Sequence, residues 1–235
     1  MIPNIEQAEA LHRKYAPSKA AYDLIHTHCV IISIIARDTV RRANARYRQA
    51  QGQTVAQEEL LAGAEDKGQP TGTVPDHLLD EDLTVVGALL HDMGTYLILK
   101  DDGSDGSTVT FQGERYIEHG ILGYRLLLDE GVDESVAQFA RNHTGVGLTR
   151  AQVEKEGLPL PPDDYIPVNQ EQEVVMYADK FHSKHTPPIF VSEATAAKRN
   201  ARYGQANLDR WKVLVERYGV PELGGLAGRY SMQVV

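Results

Sequence analysis

An all-α domain carrying one small β-hairpin is the fold class this sequence predicts, and three observations carry the prediction. Across residues 18 to about 50, Leu24, Ile25, Ile31, Ile32, Ile35, Ala36 and Val40 recur at the i, i+4, i+7, i+8 spacing of one helical face. Most later segments repeat that period, separated by short turns. Only two runs, 96–100 and 107–112, are β-prone, and they flank Asp101-Asp102-Gly103-Ser104-Asp105-Gly106, as a hairpin with an extended loop would.

The elements follow in order. Ile5–Tyr15 is rich in alanine, leucine and charge, and Pro17-Ser18 starts the next helix. That long helix is followed at 51–76 by a polar surface excursion with Gly68, Pro70, Gly72 and Pro75, in which 58–64 forms a short helix. Residues 79–93 return to a buried helix that Gly94 is placed to end. The acidic hairpin loop resembles a calcium loop only faintly. Its twelfth position is Gln112 rather than the bidentate glutamate such loops need, so it reads as a plain turn. Helices are expected at 117–129, 135–142, 149–157, 170–185, 193–203 and 207–218, with 159–167 as a proline-rigidified crossing loop. The organisation expected is a single domain over 1–235, with a core at about 20–185 and C-terminal helices at 193–219.

Composition narrows the function classes. The chain has 235 residues, 42% hydrophobic and 24% charged, the balance of an ordinary globular protein. A net charge of -9 disfavours a surface built to neutralise a phosphate backbone, so no nucleic-acid partner is expected. A small phosphorylated substrate remains compatible, since a few local cations can hold it. Cys29, the one cysteine, lies in the apolar run Cys29-Val30-Ile31-Ile32-Ser33-Ile34-Ile35-Ala36 and reads as a small buried hydrophobe. That run is far shorter than the roughly 20 residues a membrane span needs, and no basic-then-apolar leader opens the sequence. No membrane partner and a cytoplasmic location are therefore expected; the oligomeric state is not legible.

Polar residues on apolar helical faces carry the chemistry, because each must find a partner or destabilise the fold. Asp92 lies three residues after Leu89 and seven after Val85, on their buried stripe, with His91 beside it. A divalent cation would relieve the desolvation of that carboxylate. His28 sits within the long stripe, four residues before Ile32, whereas His26 lies about 200° around the helix at roughly 100° per residue. His143 closes the pattern Val132, Val136, Phe139, Ala140, and His119 precedes Leu122 and Leu126 at i+3 and i+7. Asp179 is embedded in Val174-Val175-Met176-Tyr177-Ala178-Asp179-Lys180-Phe181. His12 and His77, in polar contexts, are expected to face solvent. Inward-facing imidazoles and carboxylates together, without thiolates, suit one or two divalent ions such as iron, manganese or zinc.

The order His28, His91-Asp92, Asp179 resembles the H…HD…D signature of the HD superfamily of metal-dependent phosphohydrolases. Gly87-Ala88-Leu89-Leu90-His91-Asp92-Met93-Gly94 is similar to its HDIG variant, with methionine for isoleucine. Tyr116-Ile117-Glu118-His119-Gly120-Ile121-Leu122-Gly123, Asn142-His143-Thr144-Gly145-Val146-Gly147-Leu148-Thr149, the stretch 158–167 and Tyr177-Ala178-Asp179-Lys180-Phe181 resemble a subgroup of small prokaryotic HD proteins. The resemblance implies an HD-domain helical bundle in which the hairpin is an insertion. It implies His28, His91, Asp92 and Asp179 as the mononuclear ligand set. His119 and His143 are then the added ligands of dinuclear members, with Asp92 bridging. Asn142 stands where a second adjacent histidine can occur, and Thr95 where many HDIG proteins carry lysine or arginine.

What the resemblance implies chemically is hydrolysis of a small phosphorylated metabolite or nucleotide through a metal-activated water, centred on Asp92 as the catalytic residue. Lys180, Arg115 and Arg141 are the candidate phosphate-binding cations, Lys180 foremost because it follows Asp179. The alternative is a mixed-valent diiron oxygenase built on the same six ligands, and a third reading is a metal-keeping regulatory module without turnover.

Overall fold

A computed structural model of the chain describes residues 1–68 and 70–235, and its described residues contain eleven α-helices and two small two-stranded antiparallel sheets. Asn4 caps α1 (Ile5–Tyr15) through a capping box with Gln7, and Ser18 caps α2 (Lys19–Ala50) by accepting from the Ala21 amide. The apolar stripe of α2 is buried as its period requires, from Ile25 through Val40. It packs against α4 (Glu81–Leu90) and α8 (Gln170–Asp179). By length and composition alone α2 could cross a membrane, but half of its most apolar window is buried inside this fold.

The excursion after α2 contains α3 (Gln57–Leu60) and is fastened to the far end of the chain. Glu65 N–H donates to Val220 O, Thr73 N–H to Arg217 O and Glu222 N–H to Gly63 O, at 2.8–2.9 Å. Arg42 on α2 is fully buried and donates to Ala62 O at 2.5 Å and to Tyr218 O at 3.3 Å. A guanidinium without a carboxylate partner is held here at its two terminal nitrogens by carbonyls and the Thr39 hydroxyl, while Nε has no partner among the described residues.

Beyond α4 the chain differs from its sequence-based expectation. Residues 93–98 form a 3-10 helix, and the hairpin strands shorten to β1 (Leu99–Asp101) and β2 (Thr110–Phe111). Thr95 explains the change: its N–H and its hydroxyl both bond Asp92 O, a local bond that competes with a strand ladder. Gly94 is no helix cap. A Cβ there would lie 1.9 Å from His119 O and 2.5 Å from Gly123 N. The glycine is needed because the backbone of this turn rests directly on α5 (His119–Asp129).

Next come α6 (Glu134–Arg141), α7 (Arg150–Glu156, capped by Thr149 and ended by Gly157) and α8. The expected helix over 170–185 stops at Asp179. Residues His182–Ser183 instead form β3, paired with β4 (Ile189–Phe190) across the turn bearing Pro187-Pro188, residues that have no amide hydrogen to continue a helix. Helices α9 (Glu193–Ala201), α10 (Gln205–Tyr218) and α11 (Gly224–Tyr230) finish the described fold, the last of them unforeseen. Trp211 of α10 is fully buried among Tyr177, Phe181 and Tyr218.

His12 is also placed differently from its expectation. It is fully buried, its Nε2 bonded to Leu89 O at 2.7 Å and its Nδ1 to the Tyr96 hydroxyl at 2.9 Å. The carbonyl can only accept, so Nε2 carries the proton and Nδ1 accepts from Tyr96. The polar character of α1 hid this, because its inward face is little more than Ala8 and His12. His77, by contrast, keeps a mostly solvent-facing ring, with its side chain 54% exposed. Replacing Gly94 with alanine is expected to destabilise the protein by about 1–3 kcal/mol through overpacking against α5, measurable as a lowered midpoint in urea denaturation.

Candidate metal centre

The six candidate donors come from five places in the fold. His28 projects from the middle of α2, whose inward stripe it shares. His91 and Asp92 follow the last turn of α4, and His119 opens α5. His143 lies just past α6, and Asp179 is the last residue of α8. The Gly94–α5 contact brings the start of α5 against the turn after Asp92. All six donors converge.

Asp92 is fully buried and lies between two groups. Its Oδ2 is 3.2 Å from His28 Nε2 and 3.9 Å from His91 Nε2. Asp179 Oδ1 completes that side, 3.1 Å from His28 Nε2 and 3.5 Å from His91 Nε2. Oδ1 of Asp92 faces the other way, 3.7 Å from His119 Nε2 and 3.8 Å from His143 Nε2. That oxygen is buried with no hydrogen-bond donor among the described residues.

The donor chemistry fits divalent cations. Ligands held about 2.0–2.2 Å from one ion lie roughly 2.8–3.6 Å apart in octahedral or tetrahedral arrangements; the contacts of His28 with both aspartates and of His91 with Asp179 fall in that range, and the others are a few tenths of an ångström longer. The ring orientations are more decisive. His91, His119 and His143 each direct Nδ1 to a backbone carbonyl three residues back, Ala88 O at 2.6 Å, Tyr116 O at 2.5 Å and Ala140 O at 2.8 Å. A carbonyl only accepts, so each Nδ1 holds a proton, and Nε2 is the nitrogen left to turn a lone pair inward when the ring is neutral. The Nε2 atoms of His119 and His143 then face each other at 2.9 Å, and those of His28 and His91 at 3.3 Å. Neutral rings placed in this way offer paired lone pairs to a cation between them.

His28 lacks such a carbonyl and uses His182, whose Nδ1 lies 2.8 Å from His28 Nδ1, while His182 Nε2 rests 3.3 Å from Met232 Sδ. Burial, reinforced by its surroundings at the centre, among them Lys184, pushes the His182 pKa down to about 2. The neutral ring accepts at Nδ1 and fixes the His28 proton away from the centre. Burial likewise lowers His119 and, with His91 and His119 adding to it, holds His143 well below the usual histidine range. Burial opposes charge on Asp92, but Lys184, His28 and His91 outweigh it and keep the carboxyl well below its ordinary value.

A cavity of about 650 Å³ opens at this cluster, lined by His28, His119, His143 and Asp179 and bordered by Lys180, Lys184 and α9. Of the cations expected from sequence, Lys180 lines it and bonds Asp179 Oδ2 at 2.7 Å and His143 O at 3.3 Å. Arg115 does not line it: its exposed guanidinium holds Glu118 through two bonds of 2.9 Å. Arg141 bonds Asp163 and stacks over Tyr165, anchoring the 159–167 crossing loop. Asn142 bridges Gln138 and Gln172. His182 and Lys184 were not foreseen. The available signal was a polar run, His182-Ser183-Lys184-His185, directly before Pro187-Pro188.

The family model described as HD domain matches residues 26–184, most of the chain. The chain belongs to the HD-domain family. An uncharacterized protein of Methanocaldococcus jannaschii is similar to this HD protein at 34% identity over 101 residues, 43% of this chain and 49% of the relative. A tRNA (cytidine(56)-2'-O)-methyltransferase of Picrophilus torridus is similar at 33% identity, over 44% of this chain and 25% of the relative. The match therefore spans half or less of those relatives. Among solved structures, the HD domain of the L. monocytogenes phosphodiesterase PgpH aligns with a TM-score of 0.45 at 12% identity, covering 95% of this chain and 98% of that one.

Loading the HD centre should stabilise the fold, since ions bind the folded donor set preferentially. At free Mn2+ about 100 times its dissociation constant, the melting temperature is expected to rise by about 5–10 °C over chelator-treated protein. Scanning calorimetry checks this. Asp92→Ala should abolish that rise.

Proposed function

We propose that this HD protein is a metal-dependent phosphohydrolase acting on a small phosphorylated metabolite or nucleotide. One observation carries the proposal: the two oxygens of Asp92 address two separate donor groups beside an open cavity. In this reading His28, His91, Asp92 and Asp179 hold one ion, and His119 and His143 hold a second that shares Asp92. Bound divalent cations lower the pKa of a coordinated water and neutralise phosphoryl oxygens.

The chain's own residues supply the rest. The carbonyls of Ala88, Tyr116 and Ala140, with His182, fix four imidazoles in the tautomer that offers Nε2. Asp92, buried, and Asp179, partly exposed at the cavity, both held well below the usual carboxylate range, bring the negative charge that makes binding two dications favourable. Lys180, tied to Asp179 and His143 O, adds positive charge to the cavity wall where a phosphoryl group would enter. The relatives that are tRNA methyltransferases match over only a quarter of their length, so methyl transfer forms no part of this proposal.

Elemental analysis of the purified protein, joined to a screen of phosphorylated metabolites and nucleotides, tests the reading. Divalent metal at one to two ions per chain and anaerobic phosphate release from at least one compound are expected. Asp92→Ala should lose metal and turnover together. Phosphatase activity surviving that substitution, or oxygen consumption without phosphate release, would overturn the proposal.

A further inference from the structure

The cavity contains a buried ammonium that the proposed ligand set does not use. Lys184 follows β3 by one residue, its side chain is 8% exposed, and Nζ is in direct contact with Asp92 Oδ2. The Tyr116 ring lies beneath it at 5.9 Å. Arg199 of α9 and Arg202 just past it also line the cavity, but Lys184 is the cation in contact with Asp92, and those expected from sequence already have partners. Arg115 is paired with Glu118, Arg141 with Asp163, and Lys180 with Asp179 and His143 O. Thr95, after the motif glycine, is buried with its hydroxyl bonded to Asp92 O, so that position offers no charge.

A dication on Asp92 Oδ2 would repel the ammonium that touches the same oxygen and weaken its hold there. Asp92 Oδ2 lies 3.2 Å from His28 Nε2, inside the donor group of the first proposed ion, and the doubly charged partner holds that oxygen more strongly. The displaced ammonium is then repelled by the ion yet confined by its surroundings, and a buried charge without a partner is unstable. Its flexible four-carbon stem lets Nζ move by ångströms while the β3–β4 pairing holds the backbone. The cavity beside it is where an anionic group would be placed by the ions.

We propose that Lys184 binds the reacting phosphoryl group directly, exchanging Asp92 Oδ2 for a non-bridging phosphoryl oxygen once metal occupies the centre. This rests on the phosphohydrolase reading above. Lys184 is thus a substrate-binding residue contributed by the segment after Asp179, and in the metal-free protein it occupies the place of a metal–carboxylate bond. It follows that removing the ammonium should leave metal affinity unchanged or raise it.

The test uses the full chain as Lys184→Met, Lys184→Gln and Lys184→Arg. Metal content is read by elemental analysis, and inorganic phosphate binding to Mn2+-loaded protein by calorimetry. Lys184→Met and Lys184→Gln should keep their metal and weaken phosphate binding on the order of thirtyfold, with partial recovery in Lys184→Arg. Should the methionine variant fail to fold, the glutamine and arginine variants carry the same comparison. Loss of metal from folded Lys184→Gln, or phosphate binding equal to the parent's, would overturn the inference alone. A parent that holds metal but neither binds phosphate nor hydrolyses any phosphoester would overturn the phosphohydrolase reading, and this inference with it.

Discussion

A carboxylate placed at the bottom of a helical core governs the arrangement of everything around it. Asp92 is fully buried, with one oxygen turned to His28, His91 and Asp179 and the other to His119 and His143. A group so placed would be destabilising alone, and the structure surrounds it with compensating features. The long helix α2 supplies one imidazole, the turn after α4 supplies the carboxylate and a second, and the glycine contact at Gly94 lets α5 approach closely enough to supply a third. The apolar clusters on either side keep these elements in register.

The orientation of the rings depends on that same constraint. Three histidines follow a carbonyl at i−3, a geometry that the end of a helix or a 3-10 turn presents without any extra residue. The helix termini of this fold present carbonyls to side chains, and the histidines at 91, 119 and 143 bond them, Tyr116 O taking the His119 amide as well. His28, in mid-helix, has no free carbonyl beside it because its own helix consumes them, and so it requires a second side chain. His182 is that side chain, which explains a neutral buried histidine outside the proposed ligand set.

The helices bearing the donors were legible because their periodicity is strong and their buried polar residues stand out against apolar neighbours. The six convergent positions could be named from that contrast together with the family's signature. What escaped was set by contacts distant in sequence. His12 looked exposed because α1 is polar almost all round, and only Leu89 O and Tyr96, far along the chain, reveal its inward face. Residues 182–184 looked like helix because Ala178 to Phe181 continue an apolar pattern, whereas pairing with 189–190 decides their conformation. Arg115 looked available because its partner, Glu118, sits three residues on in a turn that periodicity alone does not define.

Helix α2 carries His28 in its first half and Arg42 in its second, about 21 Å apart at 1.5 Å per residue. Arg42 grips Ala62 O and Tyr218 O, so the excursion after α2 and the C-terminal helices share one attachment point on that rod. The excursion is therefore seated on the donors' scaffold through the carbonyl at 62 as well as through the backbone bonds at 63, 65 and 73. A sequence change that lost this grip would act at a distance, through the seating of the helix that presents His28.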